Sequence, residues 1–430
     1  MIRSETGAAL VLLDVDAFRA INDSLGHETG DELLRLVASR LRGVLNPDAV
    51  LVRLGSDEFA AISCTARNER EVLEFTETLR SVFVEPFRVA GRTEQLSVST
   101  GVAVADRPDE VKSLHRQAEI ALLAAKRANN DGPVFYEASF EETIARSTRI
   151  RRALYSAVYD DEFEVVYQPI VSAESSAIHS LEALLRWNSP TLGRVGPDEF
   201  IPIAEHAGDI DAIGQWVIET VCRQLSVWTA MGISPDLSVS FNVSARQLAD
   251  EDFATSVSTT ARVWGIDPQR LTVEVTETAA LDEHGTAVDR LNELRAAGFQ
   301  ISIDDSGSGY SNLGQLLRVP FDILKIDRSL LLMLTDMRSS AGGDSTDPCQ
   351  ILQAVVSIAE ILGAPVVCEG VETDEQRESL IASGITYIQG YLTGRPASAA
   401  DTARLLELPL AATTLASAVA PGRGIEKAHL

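Results

Sequence analysis

The chain has 430 residues, enough for two or three domains, and its 45% hydrophobic and 23% charged content is that of a folded globular protein. A formal net charge of −26 repels phosphodiester backbones and argues against duplex DNA or RNA as a partner. Four cysteines without a C-x-x-C pair point to reduced thiols and a cytoplasmic setting, six histidines without ligand spacing argue against zinc, and neither a signal peptide nor a membrane-length apolar run is expected.

Taken in chain order, residues 8–13 form a buried apolar run that ends at Asp14, and helical spacing follows over 31–45. Two strands, about 50–54 and 58–63, flank Gly55-Ser56-Asp57. A helix is expected over 69–83, a strand over 95–104, a helix over 111–128 and a short strand over 133–136. This predicts an N-terminal mixed-sheet α/β domain over residues 1–137. Residues 138–160 are charged with helical spacing and read as a connector helix.

From residue 163 short strands alternate with helical stretches: 163–168, 180–185, 238–243, 271–276, 300–304, 323–326, 365–368 and 387–392. Eight strands over some 250 residues predict a (β/α)8-type TIM-like barrel, assigned to residues 161–410. Residues 336–348 read as a polar, Gly-rich flexible loop, and 411–430 as a loosely held tail.

Five acids, Glu182, Glu274, Asp304, Asp305 and Glu369, each sit at or just past the end of a short apolar run. Acids at buried strand ends are costly unless a cation neutralises them. Oxygen ligands of this kind suit hard ions such as Mg²⁺ or Mn²⁺, and phosphate esters are the substrates that most need such ions. In a barrel of this type the site lies at the C-terminal ends of the strands, where these acids fall. Cys368 beside Glu369 reads as a small buried residue of a strand rather than a nucleophile.

The second half resembles the EAL family of cyclic di-GMP phosphodiesterases over about residues 147–400. The motifs that carry this are Tyr167-Gln168-Pro169-Ile170, Glu182-Ala183-Leu184-Leu185-Arg186-Trp187, Phe200-Ile201-Pro202-Ile203-Ala204-Glu205, Phe241-Asn242-Val243-Ser244, Glu274-Val275-Thr276-Glu277, Asp304-Asp305, Lys325-Ile326-Asp327, Glu369-Gly370-Val371-Glu372-Thr373 and Gln389-Gly390-Tyr391. The resemblance implies that Glu182, Asn242, Glu274 and Asp304 hold one Mg²⁺ or Mn²⁺ ion and that Asp304, Asp305 and Glu369 surround a second. It implies that Lys325 holds and helps deprotonate the attacking water, with a pKa that a cationic, partly buried site can depress. Gln389 then orients the network, Glu182 and Glu369 belong to the catalytic set, and Arg186 takes a substrate phosphate oxygen. Gln168, Leu185, Asn242 and the 200–205 segment are expected along the substrate pocket. Glu277 is expected to pin the loop after Asp305, which here reads Ser306-Gly307-Ser308-Gly309-Tyr310 where the family usually begins with Phe. Thr386 and Tyr387 replace a more usual acidic neighbourhood before Gln389.

The first half resembles the GGDEF family of diguanylate cyclases, through Asp14-Val15-Asp16-Ala17-Phe18, Ile21-Asn22-Asp23, Leu25-Gly26-His27, Gly30-Asp31, Arg53-Leu54-Gly55-Ser56-Asp57-Glu58-Phe59 and Ser97–Ala103. The resemblance implies Mg²⁺ on Asp14 and Asp57, with Val15 at the same site, and guanine read by Asn22 and Asp31. Ser56 stands at the second glycine of the signature, and Lys126-Arg127-Ala128-Asn129-Asn130-Asp131 lacks the family's arginine. The segment that leads into Asp14 is short, and the product-inhibition motif is not matched at Asn46–Ala49. A degenerate, cyclase-inactive domain is expected, with Lys126 as a solvated helix lysine. It serves either as a regulator that binds GTP or as a structural, dimerising module.

The expected protein is thus a cyclic di-GMP phosphodiesterase yielding linear pGpG, a homodimer with no polymeric nucleic acid partner and no membrane insertion. Two other readings stay open: a cyclic di-GMP receptor or scaffold without turnover, and a bifunctional cyclase and phosphodiesterase.

Overall fold

The computed structural model describes residues 8–66, 68–105, 107, 110–128, 132–281, 286–306, 318–328 and 348–407. The chain divides into two units, Met1–Thr148 and Arg149–Leu430. The helix expected as a connector is present as Ala138–Ala157, and the division falls within it.

In the first unit β1 (Ala8–Val15) is followed by α1 (Phe18–Leu25), α2 (His27–Val44), β2 (Val50–Arg53), β3 (Glu58–Ser63) and α3 (Glu69–Arg80). A small hairpin, β4 (Phe87–Val89) and β5 (Arg92–Glu94), precedes β6 (Val98–Ala105), α4 (Leu114–Ala128), β7 (Val134–Phe135) and α5 (Ala138–Ala157). The main sheet has the order β2-β3-β1-β6-β7. Its central strand β1 is apolar on both faces because both are covered, which is why residues 8–13 read as a continuous apolar run. Three elements of this unit were missed from sequence. Helix α1 follows a left-handed Ala17 with no capping side chain, and the β4–β5 strands are only three residues each.

The second unit begins with β8 (Phe163–Ser172), β9 (Ile178–Ser189), β10 (Gly193–Val195), α6 (Pro197–Ala207), α7 (Ile210–Ala230) and β11 (Ser238–Asn242). It continues with α8 (Ala245–Leu248), α9 (Phe253–Val263), β12 (Leu271–Thr276), α10 (Glu277–Ala280), α11 (Thr286–Ala296), β13 (Gln300–Ser306) and β14 (Ile323–Ile326). The last described elements are α12 (Pro348–Leu362), β15 (Val366–Cys368), α13 (Asp374–Ala382), β16 (Tyr387–Ile388) and α14 (Ala399–Glu407). Strands β8, β9 and β11 to β16 close into an eight-stranded barrel, and all eight coincide with the strands expected from sequence.

One strand departs from a uniformly parallel barrel. β8 runs antiparallel to both its neighbours, β9 and β16. Only residues 173–177 separate β8 from β9, too few for the crossover of a dozen or more residues that a parallel pair needs. The resulting register sets Gln168 opposite Glu182.

The core outside the barrel wall is built on aromatics. Trp187 and Phe200 are wholly buried and meet edge-to-face, with ring centroids 5.5 Å apart, and Phe163 packs on both. Tyr167 meets Trp228 edge-on at 4.9 Å, and its backbone exchanges two hydrogen bonds with Ala397. Each such ring removes apolar area worth roughly 1.5–3 kcal/mol from water. This packing fixes the strands that carry the acids.

Candidate active site

Four of the five acids expected at strand ends, Glu182, Glu274, Asp304 and Glu369, converge on one ammonium group. Lys325, on β14, is only 1% exposed, and its Nζ lies 3.1 Å from Glu274 Oε2, 3.4 Å from Glu182 Oε2 and 3.9 Å from Asp304 Oδ2. It also forms an ion pair with Glu369 Oε1. These groups come from β9, β12, β13, β14 and the residue after β15. They share the interior because strand side chains alternate, so alternate residues face one side. The pairing of β13 with β14 slips between Ile303 and Ser306, a bulge that falls on the Asp304-Asp305 pair.

Hydrogen bonds fix the cluster further. Asn242 Nδ2 donates to Glu182 Oε1 at 3.0 Å, and Gln389 Nε2 donates to Glu182 Oε2 at 2.6 Å. Gln389 Nε2 also reaches Gln168 Oε1 at 3.2 Å, while Gln168 Nε2 donates to the carbonyl of Gly394 at 3.0 Å. Gln168 is therefore buried and braces Gln389, where sequence reading placed it along the substrate pocket. In the 200–205 segment Phe200 and Ala204 are wholly buried in the core, Pro202 is exposed, and Ile201, Ile203 and Glu205 are half-buried. Arg186 is half-buried, and its Nη1 donates to the carbonyl of Leu185 at 2.8 Å. Glu277 is the first residue of α10, directly after β12, but the loop it was expected to pin (307–310) lies outside the described residues. So do the side chains of Asp305 and Ser306, the 336–347 loop and the 411–430 tail.

The electrostatics follow from four carboxylates facing one cation. Burial pushes Glu274 well above the usual carboxylate range, and Glu182, Asp304 and Glu369 add to the rise despite Lys325. Burial likewise raises Glu369, to about 7. Burial would also raise Glu182, but Lys325 and the hydrogen bonds from Gln389 and Asn242 outweigh it and hold its carboxyl low. Burial would lower the pKa of Lys325, but the surrounding carboxylates drive it well above its ordinary value.

The donor set fits hard divalent cations. The cluster carries more negative charge than Lys325 balances, its donors are oxygens, and Gln389 Oε1 is buried with no hydrogen-bond partner among the described residues. Among the described residues, no three His, Cys, Asp or Glu side chains stand gathered to hold an ion as they are, because Lys325 lies between them.

In the first unit the expected residues also meet. Asp14 is opposite Glu58 and Ser99 across the sheet, and Val15 donates its N–H to the carbonyl of Asp57 at 3.2 Å. Asn22 packs its Oδ1 against Gly30, next to Asp31, where a Cβ would lie 1.9 Å from that oxygen. Burial raises the Asp14 carboxyl. Lys126 is an exposed helix lysine, as expected, and its Nζ also pairs with Asp14 Oδ2 at 2.7 Å. Ser56 Oγ donates to Asp57 Oδ1 at 2.6 Å, and Arg53 holds the carbonyls of Gly55 and Ser56 at 3.1 and 2.6 Å.

A family profile for the EAL domain matches residues 151–396, more than half of the chain. The chain belongs to the EAL family. A profile described as "Diguanylate cyclase, GGDEF domain" matches residues 2–132, so the GGDEF and EAL domains stand in tandem. Metal binding is typical of EAL domains. The bifunctional diguanylate cyclase/cyclic di-GMP phosphodiesterase MucR of Pseudomonas aeruginosa is 34% identical over 398 residues, 92% of this chain and 56% of MucR. The cyclic di-GMP phosphodiesterase NbdA of the same organism is 35% identical over 392 residues, 91% of this chain and 49% of NbdA. A solved structure described as "PaMucR Phosphodiesterase, c-di-GMP complex" is 35% identical, with a TM-score of 0.54, covering 59% of this chain and 99% of that one. The chain spans about half the length of the curated relatives it matches.

Of the residues named from sequence, Glu182, Asn242, Glu274, Asp304, Lys325, Glu369 and Gln389 stand together in one cluster. Sequence reading missed the carbonyl of Gly394 and the wholly buried Ser302, because neither belongs to a motif or carries charge. No helix among the described residues is long and apolar enough to cross a membrane.

Proposed function

We propose that the EAL domain hydrolyses cyclic di-GMP to linear 5′-pGpG. The observation that carries this reading is the convergence of Glu182, Asn242, Glu274, Asp304 and Glu369 around the buried Lys325. The relatives' names, cyclic di-GMP phosphodiesterases among them, support the choice of substrate.

Arg186 is placed one residue past the Glu182–Leu185 stretch at the barrel mouth and takes a non-bridging phosphate oxygen with its planar donor fork. Lys325 holds the attacking water, with Glu369 as the nearest acceptor of its proton. The water oxygen bonds to phosphorus in line with the 3′-oxygen, the P–O3′ bond breaks, and the proton passes to the departing 3′-oxygen. Gln389, braced by Gln168, keeps Glu182 in place through this step. Two Mg²⁺ or Mn²⁺ ions, held when bound by Glu182, Asn242, Glu274, Asp304, Asp305 and Glu369, supply a lowered water pKa and polarised phosphoryl oxygens.

The test is turnover of cyclic di-GMP by the full chain with each metal, read as pGpG. Glu182→Ala is expected to abolish it. Tight binding without product from folded, metal-loaded protein sinks the hydrolase reading in favour of a receptor.

For the GGDEF domain the reading is a cyclase-inactive regulator that takes GTP as an allosteric ligand. The Ser56–Asp57 hydrogen bond and the Lys126–Asp14 pair support the loss of cyclase activity, because both carboxylates expected to hold Mg²⁺ are already engaged. Ser56→Gly is expected to tighten GTP binding severalfold by calorimetry; cyclic di-GMP made from GTP by the Glu182→Ala chain refutes the inactive reading and establishes a bifunctional enzyme. A cytoplasmic homodimer is the proposed working form, checked by sedimentation.

A further inference from the structure

The barrel interior below the acids mixes the apolar Ile170, Ile323, Pro365 and Val367 with a run of polar side chains, whereas barrels of this type are usually filled by branched apolar side chains. Ser180, Ser238, Ser240, Thr272 and Gln300, on the neighbouring strands β9, β11, β12 and β13, line a narrow internal cavity of about 20 Å³. Glu274 and Lys325 form part of its wall. A space of roughly 10–15 Å³ with polar partners is enough for one water. Ser302, which shares a strand face with Gln300, is wholly buried, and its Oγ has no hydrogen-bond partner among the described residues. A buried hydroxyl is costly in a dry bore and is satisfied by water.

A wider hollow of about 540 Å³ shares His179, Ser238 and Gln300 with the narrow cavity. It lies at the N-terminal ends of the parallel strands, opposite the acids, since it is lined by the first residues of β9, β11 and β13. Where the two spaces meet, His179 stacks on Tyr387 with ring centroids 4.0 Å apart and planes 18° from parallel. His179 is available for this because the β8–β9 register slips between Ile170 and Val171 and leaves it opposite no residue. Tyr387 is one of the two positions at which the sequence departs from the usual neighbourhood of Gln389.

We propose that the bore is a water passage from the basal hollow to Glu274 and Lys325, gated by the His179–Tyr387 stack, and that it supplies water while a substrate covers the barrel mouth. Its role in turnover rests on the hydrolase reading; the presence of water in the bore does not. The ligand of this second opening is water, and the gate is too tightly stacked to pass a nucleotide.

The test compares the full chain with the Ser240→Val/Thr272→Val double variant. In a high-resolution crystal structure, ordered water is expected within hydrogen-bond reach of Ser302 Oγ, and its loss is expected in the double variant. At saturating cyclic di-GMP the double variant is expected to lose about tenfold in kcat with KM retained. Tyr387→Ala, which opens the gate, is expected to keep kcat at or above the parent value. Ser302→Ala gives a second readout: its Tm is expected to stay or fall, whereas a raised Tm marks a dry, unsatisfied hydroxyl. A dry bore in the parent, or an unchanged kcat when the valines have removed the water, overturns the passage. If the chain lacks hydrolase activity altogether, the crystallographic and Ser302→Ala readouts still decide whether the bore is wet.

Discussion

Replacing Lys325 by Met removes the only cation that the described residues place among Glu182, Glu274, Asp304 and Glu369. Lys325 is 1% exposed, so bulk solvent does not screen the carboxylates in its place. Breaking a buried ion pair by removing one partner costs about 3–5 kcal/mol, because the remaining charge is left uncompensated. At roughly 2–4 °C per kcal/mol for a domain of this size, the barrel transition of chelated Lys325→Met should fall by about 6–20 °C. The sign with pH follows from Glu369, raised from 4.5 to about 7. The folded state then holds a proton that the unfolded state releases, so this group's contribution to stability falls as pH rises from about 4.5 to 7. Without Lys325 the carboxyls rise further, so the loss in Tm should be larger at pH 8 than at pH 6, where protonation relieves repulsion. Mn²⁺ should restore part of the Tm at pH 8 through its preference for the folded state. The assay is thermal unfolding of the full chain with chelator and with Mn²⁺ at both pH values. An unchanged Tm in chelator at pH 8 would refute the electrostatic reasoning.

Gly390→Ala places a Cβ within 2.1 Å of the Val371 carbonyl oxygen and 2.3 Å of its nitrogen, both backbone atoms. The turn must shift and carry Gln389 off Glu182, so kcat should fall about 10- to 100-fold, the worth of a hydrogen bond to a charged group; near-parental kcat would show that Gln389 is not needed there. Arg186→Lys keeps the charge but loses the planar fork, so KM for cyclic di-GMP should rise about tenfold with kcat less affected; steady-state kinetics decide, and an unchanged KM removes Arg186 from the substrate site.

Much of this protein was legible without coordinates. The eight barrel strands are short apolar runs between turn signals, and the acids that end them need neutralising wherever the chain puts them, so fold class and cluster membership follow from local pattern and charge. The EAL motifs lie on those same strand ends, which is why Glu182, Asn242, Glu274, Asp304, Lys325, Glu369 and Gln389 could be named in advance. Pattern could not say which group answers which. That the carboxylates drive Lys325 up, that Gln168 braces Gln389, and that Lys126 engages Asp14 are sums over neighbours far apart in sequence. Nor could it reveal the hollow beneath the acids: a serine reads as a weak strand residue until its neighbours across the barrel are serine and threonine as well. Sequence specifies residue types and their local periodicity, whereas pKa, hydrogen-bond partners and cavities depend on distances that exist only once the barrel has closed.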